Sequence, residues 1–181
     1  MKIANINAAL GLAQAVALCG LLCTTACGQT PPATNAATNS LALKVRGTPQ
    51  PKLPGIKIYL GAKELNAEIA MTKQQIETGM MFRTNILETE AMLFVFAQPH
   101  RTAFWMKNTL IPLSCAYIDP NGVILEIKQM QPLDERPLYA NSDRVQFVLE
   151  TARGWFDRNK VTVGTVVTTE RGTLSQTFFG K

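Results

Sequence analysis

The apolar runs of this sequence are short and most end at turn signals, which limits the folds that it can adopt. Met92–Phe96 is continuously apolar but too short for a helix, as in a strand buried on both faces. Leu65, Ala67 and Ile69 alternate with polar residues, which indicates a strand with one solvent-facing side. Asp119–Gly122 reads Asp-Pro-Asn-Gly, the clearest hairpin turn in the chain. Short strands joined by turns are therefore expected.

These patterns predict an α+β, β-rich domain: a small, partly closed barrel or a curved antiparallel sheet of about six to eight strands, with one or two short helices. Thr72 followed by Gln75 predicts a helix start, and Gly79 its end. With 181 residues, 46% of them hydrophobic, one modest domain with appendages is expected. We place this domain at residues 55–169 and a tail at residues 170–181.

The N-terminus has the composition of a secretory signal. Met1–Leu22 contains one early cation, Lys2, followed by a long uncharged run that ends in small residues. A membrane-spanning helix would also fit this length, but no positive cluster follows the run. We therefore predict a cleaved signal peptide at residues 1–26 and an exported protein.

Cys27 follows the small residues Thr24-Thr25-Ala26, which resembles the lipobox of bacterial lipoproteins, although Thr24 stands where Leu is usual. The resemblance implies that Cys27 carries a lipid that anchors the chain at the membrane. A soluble secreted protein is the alternative. Residues 27–54 are predicted to form a flexible tether because Gln29–Ser40 is uncharged and rich in Thr, Pro, Ala and Asn.

Composition excludes several classes of function. The formal charge is +5, but Lys and Arg are scattered singly, which argues against a nucleic-acid partner. The single histidine, His100, excludes a multi-histidine metal centre. Cys115 is the one cysteine of the predicted domain, so no disulfide can form within it, and a small core residue is the expected role. We predict no metal and no cofactor.

The run Phe104–Pro112 sets aromatic and apolar residues directly against a cation and an amide, Lys107 and Asn108. Burying an unpaired ammonium is costly, so these polar groups need partners or a pocket. A turn is expected at Ala97–Arg101 and a strand at Thr102–Lys107. Alternation in that strand puts Trp105 and Lys107 on one side, where the Lys107 side chain can lie along the indole ring.

Five polar or aromatic residues in apolar surroundings are the candidate ligand-binding set: Arg83, Trp105, Lys107, Asn108 and Glu150. If they converge, two cations and an amide would bind a small anionic or polar ligand. The alternative is a buried ion pair of Glu150 with Lys107 or Arg83 that only fixes strand register. The sequence does not separate these interpretations.

Several runs occur in the order and spacing of a known family: Gly79–Arg83, Ala91–Phe96, Phe104–Thr109, Ile111–Leu113 and Val148–Glu150. Over roughly Ile56–Thr168 the chain resembles the domain of unknown function 192 family. The resemblance implies a small β-rich domain, frequently exported, without an established activity. The chain has Ala91, Ser114 and Thr165 where the family usually has Gly, Asp and Asp.

Three functions are consistent with these observations, and oligomeric state is left open. The first is a non-catalytic binding module held at the envelope. The second is a hydrolase of cell-envelope material, with Lys107 as base and Asn108 stabilising an oxyanion; no standard catalytic constellation supports it, so enzymatic activity is left undecided. The third is a structural or accessory protein, which an exposed apolar patch near Met130–Tyr139 would favour.

Overall fold

The computed structural model describes residues 45–181. The predicted signal peptide, Cys27 and most of the predicted tether lie outside the described residues. Within residues 45–181 no helix combines the length and apolar character needed to cross a membrane. The strands and helices of this range are β1 Gly55–Leu60, β2 Lys63–Ala70, α1 Lys73–Thr78, β3 Glu90–His100, β4 Ala103–Phe104, β5 Leu113–Ile118, β6 Ile124–Met130, β7 Leu138–Tyr139, β8 Val145–Ala152, α2 Trp155–Arg158, β9 Val167–Thr169, β10 Gly172–Thr173 and α3 Leu174–Phe179.

Eight of the ten strands between residues 45 and 181 form one sheet in the order β10-β9-β1-β2-β3-β8-β5-β6, and β4 pairs with β7 separately. The α+β, β-rich class is confirmed. The sheet does not close into a barrel; a single bridge joins Val123 to Val166. The strand number exceeds the expected six to eight because β4, β7 and β10 have only two residues each.

One neighbouring pair in the sheet, β2 and β3, is parallel, so the expected antiparallel sheet is wrong at that point. Parallel neighbours need a long crossover connection, because the chain must return to the end at which the first strand began. The segment between Ala70 and Glu90, which contains α1, supplies that connection. This crossover also carries the loop Met81–Arg83 to the sheet.

Alternation along β8 divides its side chains between two hydrophobic clusters. Phe147 and Leu149 belong to the first cluster, which also contains Trp155 from α2 and Leu174 from α3. Val148 belongs to the second cluster, together with Met80, Phe94, Phe104 and Tyr117 among others. Glu150 follows Val148 at the same alternation and therefore points toward the side of the sheet where α1 and the β4–β7 ribbon lie.

Two local predictions are confirmed. Thr72 and Gln75 form a reciprocal capping box at the start of α1, and Gly79 follows its end. At Asp119–Gly122, the Asp119 Oδ1 atom accepts hydrogen bonds from the backbone N–H groups of Asn121 and Val123, and Gly122 has a φ of 82°. These motifs depend on residues close in sequence, which explains why the sequence specifies them.

Three boundaries differ from expectation. Thr102–Lys107 was expected to be one strand, but only Ala103–Phe104 pairs, and residues 107–108 turn. The expected turn at Ala97–Arg101 is instead the end of β3, which runs to His100 with an irregular register. Residues 170–181 are not a free tail: β10 and α3 lie there, because a capping box starts α3 and Leu174 is fully buried.

The end of the predicted tether is bonded to the domain where the structure describes it. The Gln50 amide donates hydrogen bonds to the carbonyl oxygens of Gln75, at 3.2 Å, and Gly79, at 2.9 Å. The Leu53 N–H donates to the Glu68 carboxylate at 2.8 Å. Gln50 thereby joins the described end of the tether to the C-terminal end of α1, where the Gln75 carbonyl also accepts the Gly79 N–H at 2.8 Å.

Candidate functional site

A pocket of about 170 Å³ opens on the side of the sheet that α1 and the β4–β7 ribbon cover, and Glu150 lies in its lining. We call it the Glu150 pocket. Its walls come from the end of α1, from β3 and from the chain around β4, and are mostly apolar: Ile76, Met80, Met81, Phe94, Phe96, Phe104 and Trp105. Thr102 and Thr109 add hydroxyl groups. A mostly apolar pocket with few polar groups is the usual form of a small-molecule site.

The β8 strand sets the position of Glu150. It lies opposite Met92 of β3 and Cys115 of β5 in the sheet, and both neighbours are fully buried. Only 4% of Glu150 is exposed. A carboxyl group is rarely buried to this extent without a partner, so its partners decide what the pocket can do.

The Glu150 carboxyl has no hydrogen bond or ion pair among residues 45–181; burial and the charge of Arg83 are the two influences on its pKa. Among the same residues, the one fully enclosed polar side-chain atom without a partner is Arg83 Nε. The unpaired oxygens of Glu150 are thus not fully enclosed, and because Glu150 lines the pocket, they face its space. A small molecule in the pocket can therefore reach this carboxyl group.

Burial raises the pKa of Glu150 to about 8, and the Arg83 charge only partly opposes the effect. Removing the carboxylate from water disfavours its charged form, and no donor compensates. Cys115 beside it has a pKa raised to about 12, mainly by burial and then by the charge of Glu150. Groups with strongly shifted pKa values in a cleft mark candidate functional sites.

Trp105 and Lys107 lie together, as alternation predicted. The Lys107 Nζ atom is 5.3 Å from the centroid of the Trp105 ring, within the range of a cation–π contact. Trp105 is 46% exposed, whereas Phe104 and Met106 are buried. Trp105 lines the Glu150 pocket, but Lys107 is not part of its wall.

Asn108 supports the pocket from outside. It adopts a left-handed conformation with a φ of 53°, its carbonyl oxygen accepts a hydrogen bond from the Phe82 N–H at 2.8 Å, and its Nδ2 atom lies 3.9 Å from Met81 Sδ. Met81 lines the pocket. Asn108 therefore holds the wall residue Met81 in place.

Arg83 forms an ion pair with Glu68 and does not pair with Glu150. Its two terminal nitrogens bind the two Glu68 oxygens at 2.6 and 2.8 Å, and the hydrogen bond to Glu68 raises the pKa of Arg83. Burial alone would raise the pKa of Glu68, but the hydrogen bonds from Arg83 and Leu53 together with the Arg83 charge lower it. The alternative ion pairs of Glu150 with Arg83 or Lys107 do not form, because Glu68 holds the guanidinium and Lys107 lies on Trp105.

Comparison with known families gives a match that spans most of the domain. The model of a family described as DUF192, Uncharacterized ACR, matches residues 56–169. The chain belongs to the domain of unknown function 192 (DUF192) family. A comparison with curated proteins gives no significant match.

Two solved structures resemble this DUF192 chain. One is a protein from Sinorhizobium meliloti 1021 described as a candidate transcription regulator, 27% identical, with a TM-score of 0.63 over 66% of this chain and 97% of that chain. The other is a protein of unknown function from Novosphingobium aromaticivorans DSM 12444, 29% identical, with a TM-score of 0.63 over 68% of this chain and 91% of that chain. Both support the fold.

The positions at which this DUF192 member departs from the expected family residues lie outside the pocket lining. Ala91 belongs to the first hydrophobic cluster. Ser114 accepts a hydrogen bond from the Gly154 N–H and donates one to Gln129. Thr165 lies in the segment before β9, where its carbonyl oxygen accepts from Ile124. The Glu150 pocket does not depend on the carboxylates that are missing at Ser114 and Thr165.

Two parts of the site were missed from sequence. Glu68 was expected on a solvent-facing side of β2, but it is 8% exposed and binds Arg83. The walls supplied by α1 and β3, such as Ile76 and Phe94, were not recognised as pocket residues. Their only sequence signal is apolar character, which core and pocket residues share.

Proposed function

We propose that this DUF192 protein is a binding module exported to the cell envelope, where a lipid on Cys27 anchors it, and that the Glu150 pocket takes a small polar ligand with an apolar part. The carrying observation is the buried Glu150 carboxyl, which has no protein partner among residues 45–181 and faces the pocket. A ligand that hydrogen-bonds to this carboxyl would remove the free-energy cost of leaving it unpaired.

The pairing of Arg83 with Glu68 excludes anionic ligands from the predicted ligand class. The sequence suggested an anionic or polar ligand on the assumption that Arg83 and Lys107 converge. Arg83 is instead paired with Glu68 and lines a separate cleft with Lys52 and Glu90. The Glu150 pocket has a carboxyl where an anion would need a cation, so the proposal retains a polar ligand and drops the anionic one.

Thermal-shift screening of small cationic, neutral and anionic compounds tests this proposal. We expect at least one cationic or neutral compound to raise the melting temperature of the wild type, and to have much less effect on Glu150→Gln and Trp105→Ala proteins. Glu170→Gln is the matched control, because Glu170 is exposed in the β9–β10 turn and does not line the Glu150 pocket. It should respond like the wild type. Equal responses in all four proteins would contradict the proposal.

A hydrolase of envelope material is the second candidate, and the raised pKa of Glu150, about 8, is the observation that favours it. A carboxyl protonated near neutral pH in an apolar pocket can act as a general acid. The earlier assignment of Lys107 and Asn108 to catalysis lacks support, since neither lines the pocket. Turnover of cell-wall fragments that Glu150→Gln abolishes, with a rate that falls above pH 8, would establish this candidate instead.

A further inference from the structure

We propose that the Glu150 pocket recognises an organic ammonium group, that is, a protonated or methylated amine; this inference rests on the proposed function and names its ligand class. The first support is the acidic group in the pocket lining. Glu150 is the most buried acidic side chain of the lining, and none of the described residues supplies its counter-ion. A ligand cation would provide the missing opposite charge, which a buried carboxylate requires.

The second support is the aromatic wall. Phe94, Phe96, Phe104 and Trp105 all line the pocket, and Phe94 packs edge-to-face on Phe104 with ring centroids 4.8 Å apart. Aromatic rings around an acidic group are the usual surroundings of a bound quaternary ammonium, because the ring faces attract cations. The Trp105 ring already attracts a cation, since Lys107 Nζ lies 5.3 Å from its centroid.

The third support is size. The pocket volume of about 170 Å³ is below that of sites which enclose a drug-sized molecule, which begin at about 300 Å³. It is sufficient for a compact headgroup such as trimethylammonium but not for a whole larger metabolite. The rest of the ligand would extend past Trp105, which is 46% exposed.

Binding of a cation should release a proton. Before binding, the carboxyl of Glu150 is largely protonated below its pKa of about 8, whereas the complex needs the carboxylate. The charged or titratable groups around it are Arg83, which acts through space, Cys115 and Tyr117 of β5, and Glu77 on the pocket wall, which is exposed and 3.9 Å from Lys73. Cys115 and Tyr117 have pKa values raised mainly by burial, so neither titrates near pH 7.

Isothermal titration calorimetry with three compounds of matched shape tests the inference. Choline carries the trimethylammonium group, 3,3-dimethylbutan-1-ol is its neutral isostere, and 3,3-dimethylbutanoate is an anion of the same shape. We expect choline to bind at least about tenfold more tightly than the alcohol, and the anion not to bind. Because choline itself does not titrate in this range, its affinity should rise about tenfold between pH 6 and 7 and level off above pH 8.

Three variants separate the contributions. Glu150→Gln should weaken choline binding at least about tenfold and remove its pH dependence, and Trp105→Leu should weaken binding without changing the pH dependence. Glu170→Gln should leave both unchanged. Circular dichroism confirms that each variant is folded. Phosphatidylcholine vesicles, with and without competing choline, distinguish a lipid headgroup from a free amine as the source.

The outcomes distinguish this inference from the proposed function. If the neutral alcohol binds as tightly as choline, or Glu150→Gln binds choline unchanged, ammonium recognition is wrong while a ligand-binding pocket remains. If none of the three compounds binds, ammonium recognition is also wrong, and the broader screen decides the proposed function. Choline binding that is lost in Glu150→Gln but independent of pH would contradict the proton release and leave the charge pairing supported.

Discussion

Replacing Glu150 by glutamine is expected to stabilise the protein at neutral and alkaline pH. The folded protein raises the pKa of this carboxyl from 4.5 to about 8, so between these values the folded state holds a proton that the unfolded state has lost. Stability then falls as pH rises through this window and becomes constant above it. Glutamine has a similar shape but no charge, so the variant should lack this loss.

The magnitude follows from the size of the pKa change. A difference of about 3.5 pH units between the ordinary and the folded value corresponds to about 5 kcal/mol at roughly 1.4 kcal/mol per unit. This figure is an upper limit, because the carboxyl faces a pocket that water can enter. A few kcal/mol in a domain of this size would shift the melting temperature by on the order of 10 °C.

Urea unfolding of the wild type and Glu150→Gln at half-unit steps from pH 5 to pH 9 measures the effect. The difference in the free energy of unfolding between the two proteins isolates Glu150, because groups such as Glu68, whose pKa is lowered, contribute equally to both. We expect the difference to grow with pH up to about 8 and then to level off. If the free energies of unfolding of the two proteins ran parallel across this pH range, or if the variant were less stable at pH 9, burial would not raise the pKa of Glu150.

Three further predictions concern other contacts. Arg83→Met leaves the buried Glu68 carboxylate without its cation and should cost about 3 kcal/mol. Lys57→Met breaks the exposed Lys57–Glu64 ion pair and should cost less than about 1 kcal/mol; equal urea midpoints would contradict this. Trp105→Ala should change stability by less than about 1 kcal/mol, because Trp105 is 46% exposed, yet it should weaken choline binding measured by calorimetry. Gly122→Ala places a methyl carbon 2.6 Å from a backbone carbonyl oxygen in a left-handed turn, and thermal unfolding should show a loss of about 2 kcal/mol or more.

Local features of the fold could be predicted because neighbouring residues determine them. The capping box of Thr72 and Gln75 and the turn at Asp119–Gly122 involve residues at most four positions apart. The parallel pairing of β2 with β3 and the packing of α3 could not, since they depend on which distant segments meet. Leu174 is buried in the first hydrophobic cluster, although the sequence around it contains no regular apolar pattern.

The candidate site was predicted in part for the same reason. Alternation correctly put Lys107 beside Trp105, and its apolar neighbours correctly marked Glu150 as buried. The predicted pairing of Arg83 with Glu150 was wrong. Arg83 pairs with Glu68 because the crossover between the parallel strands β2 and β3 brings the two residues together. The composition of β8 also does not indicate which segments cover Glu150, so the aromatic wall became visible only in the fold.

The most direct test of the Glu150 pocket is a carbon-13 NMR titration of the Glu150 side-chain carboxyl, assigned by its absence in Glu150→Gln. We expect a pKa of about 8 in the ligand-free protein, and a value lowered by about three units or more when choline is present in excess, because a bound cation favours the carboxylate. A carboxyl that titrates near its ordinary value of 4.5, with no change on addition of choline, would contradict both the raised pKa of buried Glu150 and the binding of an ammonium group in the pocket.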